Sequence, residues 1–388
     1  MIETADVVIV GGGPVGAALA LALQPCGLDV VSLEARSVQA PALVAAGQRP
    51  LALSHGSRLV LERLGVWDAL ASPTPISRIH VSQAHAFGRV LLDAREDGLP
   101  AYGYVVPYGE LARALAHAVR QRVPRHRCGA RVTAVQAQAA SVSVEYGTEG
   151  GLADAVSAPL AVVADGGSMV AGADIVTRDY GQTAVVARVA TGLPHGGVAY
   201  ERFTRHGPLA LLPMGEGMAV IWTTTPDRAA ELAAISESAF LAALQSEFGD
   251  RLGAFVGASA RTVYPLILKY ARQIVLPRTV LIGNAAQTLH PVAGQGFNLG
   301  LRDAWELAEE IASSEPEWLG EPQMLERVRR RRRIDRIASI RFTDTLVRVF
   351  SNEIAPLRLA RALALAALDQ VPMLKTFLAR RMTFGVRG

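Results

Sequence analysis

Cysteine is scarce in this chain: Cys26 and Cys128 are the only two in 388 residues. Two cysteines make no disulfide framework, and no metal-ligand spacing surrounds them, so a reducing compartment and no bound metal are expected. Uninterrupted apolar runs of 18 or more residues are missing, which argues against a membrane-spanning helix. The first strand candidate begins at about Asp6 and leaves no room for a signal peptide, so a cytoplasmic protein is expected. Charge is sparse as well, at 19% of residues against 50% apolar. Such a chain builds a sizeable core, and at this length two domains, or one with an insertion, are expected. The little charge there is lies unevenly. From Gln323 to the end 15 Lys+Arg stand against 5 Asp+Glu, a net of +10, which leaves −6 for the rest of a chain whose total is +4. This asymmetry marks either an anionic partner surface or the solvated face of a long helix, with Arg329–Arg333 as its densest run.

What is present begins at the N-terminus. Asp6-Val-Val-Ile-Val10 is a short apolar run of the kind a buried parallel strand needs. It passes into Gly11-Gly-Gly13-Pro14-Val15-Gly16 and then a helical stretch to Leu23, which Pro25 and Gly27 stop. A second apolar run, Asp29 to Leu33, ends in Glu34. Strand, glycine loop, helix and an acid about twenty residues on form the Rossmann fingerprint. Gly11 permits the tight turn, Gly13 lets the backbone approach a pyrophosphate, and Gly16 lets helix and strand pack closely. The helix start, with Pro14 and Val15, faces the anion. Glu34 would accept hydrogen bonds from ribose hydroxyls, with Ala35 and Arg36 beside it. No second such loop lies between a strand and a helix, which favours one tightly held FAD over a transient NAD.

Two later segments complete a flavin site. Leu160-Ala-Val-Val-Ala164 is another buried-strand run, ending in Asp165-Gly166-Gly167-Ser168. The strand Thr279–Ile282 leads into Gly283-Asn284 and then Pro291-Val-Ala-Gly294-Gln295-Gly296-Phe297-Asn298, ahead of a helix expected over roughly Leu299–Ala312. A glycine-rich helix entry leaves backbone N–H groups aimed outward with the positive end of the dipole behind them, suited to the negative N1–C2=O edge of reduced flavin.

In this order, these motifs resemble those of the single-component FAD-dependent aromatic hydroxylases. Within that family the chain is most similar to the ubiquinone-biosynthesis branch, the polyprenyl-methoxyphenol hydroxylases, which share Asn at position 284 and Gln at 287. The run Tyr200-Glu-Arg-Phe-Thr-Arg-His-Gly-Pro-Leu-Ala-Leu-Leu-Pro213 carries the same likeness. At position 171 the family's Arg is replaced by Ala171, so a nicotinamide contact there is not carried over. The resemblance implies a para-hydroxybenzoate hydroxylase-like α/β fold, with a Rossmann-type FAD-binding domain over 1–76, 98–176 and 263–312. A substrate domain of strands, with a helix near Glu237–Phe248, is expected over 77–97 and 177–262, and a helical region over 313–388. Asp165 and Gly166 become candidates beside the pyrophosphate. Arg49 is implied near the isoalloxazine ring, and Arg113 near the phosphates or adenine. Phe203, Leu211, Pro213 and Trp222 are expected to line the substrate pocket.

His290 and Pro291 fall beside the implied ring, and His290 is a candidate base for a phenol. The rival reading is a hydrogen-bonded structural histidine. The implied reaction is hydroxylation of a polyprenylated methoxyphenol through a C4a-hydroperoxyflavin, with NAD(P)H or another donor and O2 as co-substrates. Rivals are hydroxylation at another ring position or of a soluble phenolic acid, which needs a cationic pocket; an isoprenoid reductase, which needs no O2; and an FAD-bound scaffold subunit of a quinone-synthesis complex. The apolar, Arg-dotted tail helices either pack on the chain itself, pair with a sister subunit or meet a bilayer. A membrane surface or other quinone-synthesis proteins are thus candidate partners, and nucleic acid is not.

Overall fold

The computed structural model of the chain describes residues 3–37, 49–84, 87–148, 151, 153–167, 173–350 and 355–385. Ser168 and Ala171 lie outside the described residues. Three of the expected strands, Val7–Val10, Val30–Glu34 and Leu160–Val163, pair in parallel. They belong to a six-stranded sheet that Arg125–Cys128 ends on one side and Thr279–Leu281 with Val275–Leu276 end on the other. Both faces are covered, which is why these strands read as continuous apolar runs. Val7 and Ile9 face helices α1 (Pro14–Leu23), α2 (His55–Arg63) and α3 (Tyr108–Arg122). Val8 and Val10 face a smaller four-stranded sheet through Val142, Val144 and Val156. Helix α1 starts earlier than its apolar composition alone suggests, because Pro14 is tolerated in the first turn.

A nine-stranded sheet forms the second half. Along it lie, in spatial order, Thr262–Ala271, Ile175–Thr191, Gly217–Thr224, Gly207–Met214, Val198–Thr204, Arg78–Gln83 and Arg89–Asp93. One face is covered by α4 (Pro226–Ala234) and α5 (Glu237–Phe248), packed against Val185, Leu209, Leu211, Val220 and Trp222. Helix α5 has the expected bounds and is capped by Ser236, whose hydroxyl accepts from the Ala239 amide at 3.2 Å. Helix α4 was not expected. One boundary also moves: the residues from Val263 were assigned to the FAD-binding domain, but the strand Thr262–Ala271 pairs with Ile175–Thr191 over ten residue pairs. The chain therefore returns to the first sheet only near Val275.

The remaining helices close the molecule. α6 (Gln295–Ala312) begins four residues before its expected start, α7 (Pro322–Phe350) runs beside it, and α8 (Ala355–Gln370) and α9 (Pro372–Phe384) follow. The tail packs on its own chain. Helix α8 lies so close to the strand Arg89–Asp93 that a Cβ at Gly88 would meet the Ala362 carbonyl at 2.3 Å, and the Asp369 carboxylate accepts from the Leu91 amide at 3.0 Å. At the end of α9 the Thr383 carbonyl abuts Gly56 of α2. The Arg329–Arg333 run is not simply a solvated face either. Arg332 is 3% exposed and bound to Asp303, Glu306 and Asp335, while Arg331 pairs with Glu306 and Glu309. No single helix among the described residues is long and apolar enough to cross a membrane; the bent pair formed by α8 and α9 passes that test only jointly, with a 97° break.

Candidate active site

Between the two large sheets runs one continuous cavity of about 1320 Å³. A ligand site for one small molecule usually occupies ~300–1,000 Å³, so this volume suits a dinucleotide with a second ligand beyond it. Its first part is polar. Gly11, Gly13, Pro14, Val15, Glu34, Ala35, Arg36, Asp165, Gly166, Gly283 and Asn284 all line it. The glycines divide into two kinds. A Cβ on Gly16 would lie 2.0 Å from the Gly11 carbonyl oxygen, so Gly16 serves packing between strand loop and helix, and it does not line the cavity. A Cβ on Gly13, Gly166 or Gly296 would meet nothing within 4 Å. Those three leave room for a ligand.

Glu34 is held in place by the backbone it follows. Its carboxylate accepts from the Gly12 amide at 2.8 Å and from the Arg36 amide and guanidinium at 2.9 and 2.8 Å. Burial pushes its pKa up, but the hydrogen bonds and charge of Arg36 outweigh it and hold the group below the usual carboxylate range. It is an ionised acceptor at the sheet's carboxyl end, where a ribose would bind. Helix α1 starts at Gly13 and α6 at Gly294, and neither start has a side-chain cap. Gly294 takes φ 61°, a left-handed turn that glycine adopts without strain, and it aims the first amides of α6 at the cavity. Two uncapped helix starts, a ribose acceptor and a glycine cradle are what FAD requires: one dipole end for the pyrophosphate and one for the ring edge.

Further along, Arg49 lines the cavity with its guanidinium 4.8 Å from the Tyr108 ring centroid. His290, Pro291, Phe297 and Phe203 line it too. His290 is 1% exposed, and its Nδ1 accepts from the Val292 amide at 3.1 Å. That bond fixes the neutral tautomer with the proton on Nε2, which has no partner among the described residues. Burial pushes the imidazole pKa down to about 4. So weak a base does not deprotonate a phenol; the geometry makes His290 a hydrogen-bond donor into the cavity.

Several expected residues lie elsewhere. Asn298 is buried and does not line the cavity: its side chain accepts from the Ser54 amide and the Ser57 hydroxyl and donates to the Ala52 and Gly294 carbonyls. It thereby fixes the α6 entry to the strand Pro50–Ser54. Gln295 does not line it, and its amide group lies 3.5 Å from the Met382 carbonyl of α9. Arg113 is exposed on α3 and bonds the Gly109 carbonyl of its own helix. Leu211 and Trp222 pack under α4 and α5, and Pro213 is likewise buried away from the cavity. Successive side chains of a strand face opposite sides, so their neighbours Ala210, Leu212 and Ile221 line it instead.

Sequence reasoning missed the support beneath Gly283-Asn284. The Asp303 carboxylate, 2% exposed, accepts from the Gly283 amide at 3.2 Å, from Gln287 Nε2 at 2.7 Å and from Arg332 Nε at 2.8 Å. Gln287 Oε1 in turn accepts from Arg336 Nε at 2.9 Å. Gln287, noted only as a mark of likeness, therefore ties the flavin turn to α7. It also missed Glu201, which lines the cavity among apolar neighbours.

The fold and these features define a flavoprotein of the para-hydroxybenzoate hydroxylase-like class. The family model described as "FAD binding domain" matches residues 4–339, and the chain belongs to that family, with FAD as its cofactor. It is similar to ubiquinone hydroxylase UbiL of Rhodospirillum rubrum, 37% identical over 97% of this chain and 89% of the relative. It is also similar to 3-demethoxyubiquinol 3-hydroxylase of Escherichia coli, 31% identical over 96% and 97%. In fold it matches p-nitrophenol 4-monooxygenase PnpA of Pseudomonas putida with a TM-score of 0.79 over 100% of both chains, at 19% identity.

Proposed function

We propose that the chain is an FAD-dependent monooxygenase that hydroxylates the ring of a polyprenylated phenol in ubiquinone biosynthesis. The observation that carries this reading is the lining of the cavity's far half. The nine-stranded sheet and the tail helices contribute Ile79, Val81, Leu212, Ile221, Leu346 and Leu365 among others and, among the described residues, no Lys or Arg. A soluble aromatic acid would find no counter-charge there, whereas an isoprenoid chain would find apolar surface throughout. Leu374 and Phe377 both line the cavity and are exposed, at 52% and 58%, so the cavity opens between α8 and α9 through an apolar rim. With Met373 exposed at 84% beside them, this rim supports a chain that works in the cytoplasm against the inner face of a membrane and draws its substrate from the lipid.

In this reading the α1 start at Gly13 would hold the pyrophosphate of FAD, Glu34 the ribose, Asn284 the ribitol and the α6 start at Gly294–Phe297 the ring edge. The cofactor supplies electron transfer from NAD(P)H or another donor and activation of O2. The protein does the rest. The apolar sheet and tail helices exclude water and hold the ring; His290 donates Nε2–H into the reaction space; the α6 amides stabilise negative charge at the ring edge. The test is a mass-spectrometric quinone profile of aerobically grown cells lacking this chain. Loss of ubiquinone with accumulation of a prenylated phenol short of ring oxygen is expected. An unchanged ubiquinone pool with no such intermediate refutes the pathway assignment.

A further inference from the structure

Glu201 stands alone in its surroundings. It lies in the strand Val198–Thr204, and the residues beside it across the sheet form a row: Val90, Val81, Glu201, Ala210, Ile221 and Val186. All six line the cavity. Five are apolar and one is a carboxyl group. Its Oε1 is buried and has no hydrogen-bond partner among the described residues, a costly arrangement for a polar atom unless a ligand completes it. The alternation of the strand places it between Ala199 and Phe203 on the same face, each about 7 Å away. Phe203 clusters with Val292, and Ala199 clusters with Ala52, which abuts Gly294. Both neighbours thus reach the 291–294 loop that enters α6, where the flavin ring is placed. The carboxyl group thus lines the cavity on a strand whose Phe203 packs with Val292 of that loop.

We propose that Glu201 is a catalytic residue, the general base that takes the phenol proton during ring hydroxylation. This rests on the reading of the chain as a phenol hydroxylase. As the oxygen atom adds, the phenol O–H bond breaks and its proton passes to a Glu201 oxygen. The electron pair left on the phenol oxygen forms a C=O bond, and ring electrons form the new C–O bond. Loss of the proton from the attacked ring carbon then restores the aromatic ring, and the phenol oxygen recovers a proton from Glu201. O2 is the oxidant, the nicotinamide or other donor supplies two electrons, and the second oxygen atom leaves as water.

Burial alone raises the Glu201 pKa, to about 7, with no neighbouring charge contributing. The strands beside it offer Val81 and Ala210, and the helices across the cavity offer Phe342, Leu346, Leu365 and Leu368. The other titratable groups in this half of the cavity are Tyr200, Tyr264 and His290, and His290 is neutral well above its pKa of about 4. A base with a pKa near the working pH is suited to this transfer, and His290 is not.

The test uses the full-length holoenzyme with 2-prenylphenol as probe. In the wild type the hydroxylation rate is expected to fall as pH drops through about 7. Glu201→Gln should remove that limb and slow hydroxylation by about 100-fold or more, with flavin content unchanged and a denaturant midpoint no lower than the wild type's, since the uncharged amide is spared the cost of ionising in that apolar site. Glu201→Asp should restore the limb at a reduced rate. A second readout needs no turnover and no variant: affinity of the oxidised wild type for 2-prenylphenol relative to its methyl ether, measured across pH. The ratio should rise through the Glu201 titration, since only the phenol can donate to the carboxylate. A Gln variant with a wild-type rate and pH profile, or a pH-independent affinity ratio, overturns the role of Glu201 while leaving the hydroxylase reading intact. A wild type that neither binds nor hydroxylates the phenol overturns the hydroxylase reading, and this role with it.

Discussion

Replacing Asp303 by Asn changes almost no volume and removes one buried charge. The consequence follows from the bonds that meet there. Asp303 accepts three hydrogen bonds on two oxygens, from the Gly283 amide and Gln287 Nε2 on one and from Arg332 Nε on the other. An asparagine has a single acceptor oxygen, so whichever way it is turned its NH2 group meets a donor. Arg332, 3% exposed, would keep Glu306 and Asp335 as partners but lose its contact at 2.7 Å. Breaking one partner out of a buried ion pair costs ~3–5 kcal/mol. With two carboxylates remaining, the low end applies, about 3 kcal/mol. Against a total stability of ~5–15 kcal/mol, that is a large fraction. The Gly283 amide also loses its anchor, so the turn carrying Asn284 loosens and flavin retention falls. Urea unfolding of the apo chain measures the first effect, and flavin fluorescence released on dilution measures the second. A midpoint shift worth less than about 1 kcal/mol with full flavin retention would refute the claim that this network holds the flavin turn, since even a single net hydrogen bond contributes on that order.

Further outcomes follow from the same geometry. Gly13→Asp should fold with an unchanged apo denaturant midpoint but purify without flavin, because its Cβ enters open ligand space; Gly16→Ala should fail to fold, its Cβ falling 2.0 Å from the Gly11 oxygen. Circular dichroism and flavin absorbance together separate the two. The His290 pKa in the folded chain, about 4, lies below the ordinary 6.5. The neutral buried form therefore contributes stability that is complete above pH 6.5 and lost as pH falls towards 4, up to ~3 kcal/mol at 1.36 kcal/mol per unit. Urea midpoints across that range should fall less steeply in His290→Asn. Leu211→Ala should cost ~2–5 kcal/mol in urea unfolding, as deletion in a packed core does. Ile221→Ala on the opposite face should instead raise KM for a prenylated phenol.

How much of this was legible in the sequence depended on the range of the interaction involved. The Gly11–Gly16 loop, its strand and Glu34 were readable because one local mechanism demands them within about thirty residues. The α6 start escaped by four residues, since Gly294, Gly296 and Pro291 read as loop while the left-handed Gly294 in fact opens the helix. Strand parity escaped too. Leu211 and Leu212, or Ile221 and Trp222, are equally plausible lining residues in sequence, but which side of a strand meets the cavity is set by α4 and α5, and α4 gave no signal strong enough to be expected. The Thr262–Ala271 strand was misassigned for a related reason: its partner, Ile175–Thr191, lies some eighty residues away. Asp303, Gln287 and Arg332 are brought together by α6 and α7 folding side by side, which no local pattern encodes. Glu201 sat in a quoted run without being singled out; only the row across the sheet shows that its neighbours are apolar.

The exposed rim of Leu374 and Phe377 bears on selectivity in a way that enclosed pockets do not. A closed site measures its ligand at both ends and rejects one that is too long. In the proposed reading the aromatic head would sit inside the cavity, and the isoprenoid chain would leave it between α8 and α9. Units beyond that point would contribute nothing to recognition, so tails of different length would present the same surface to the site. Tail length would then be set by the cell's prenyl-chain supply rather than by this site.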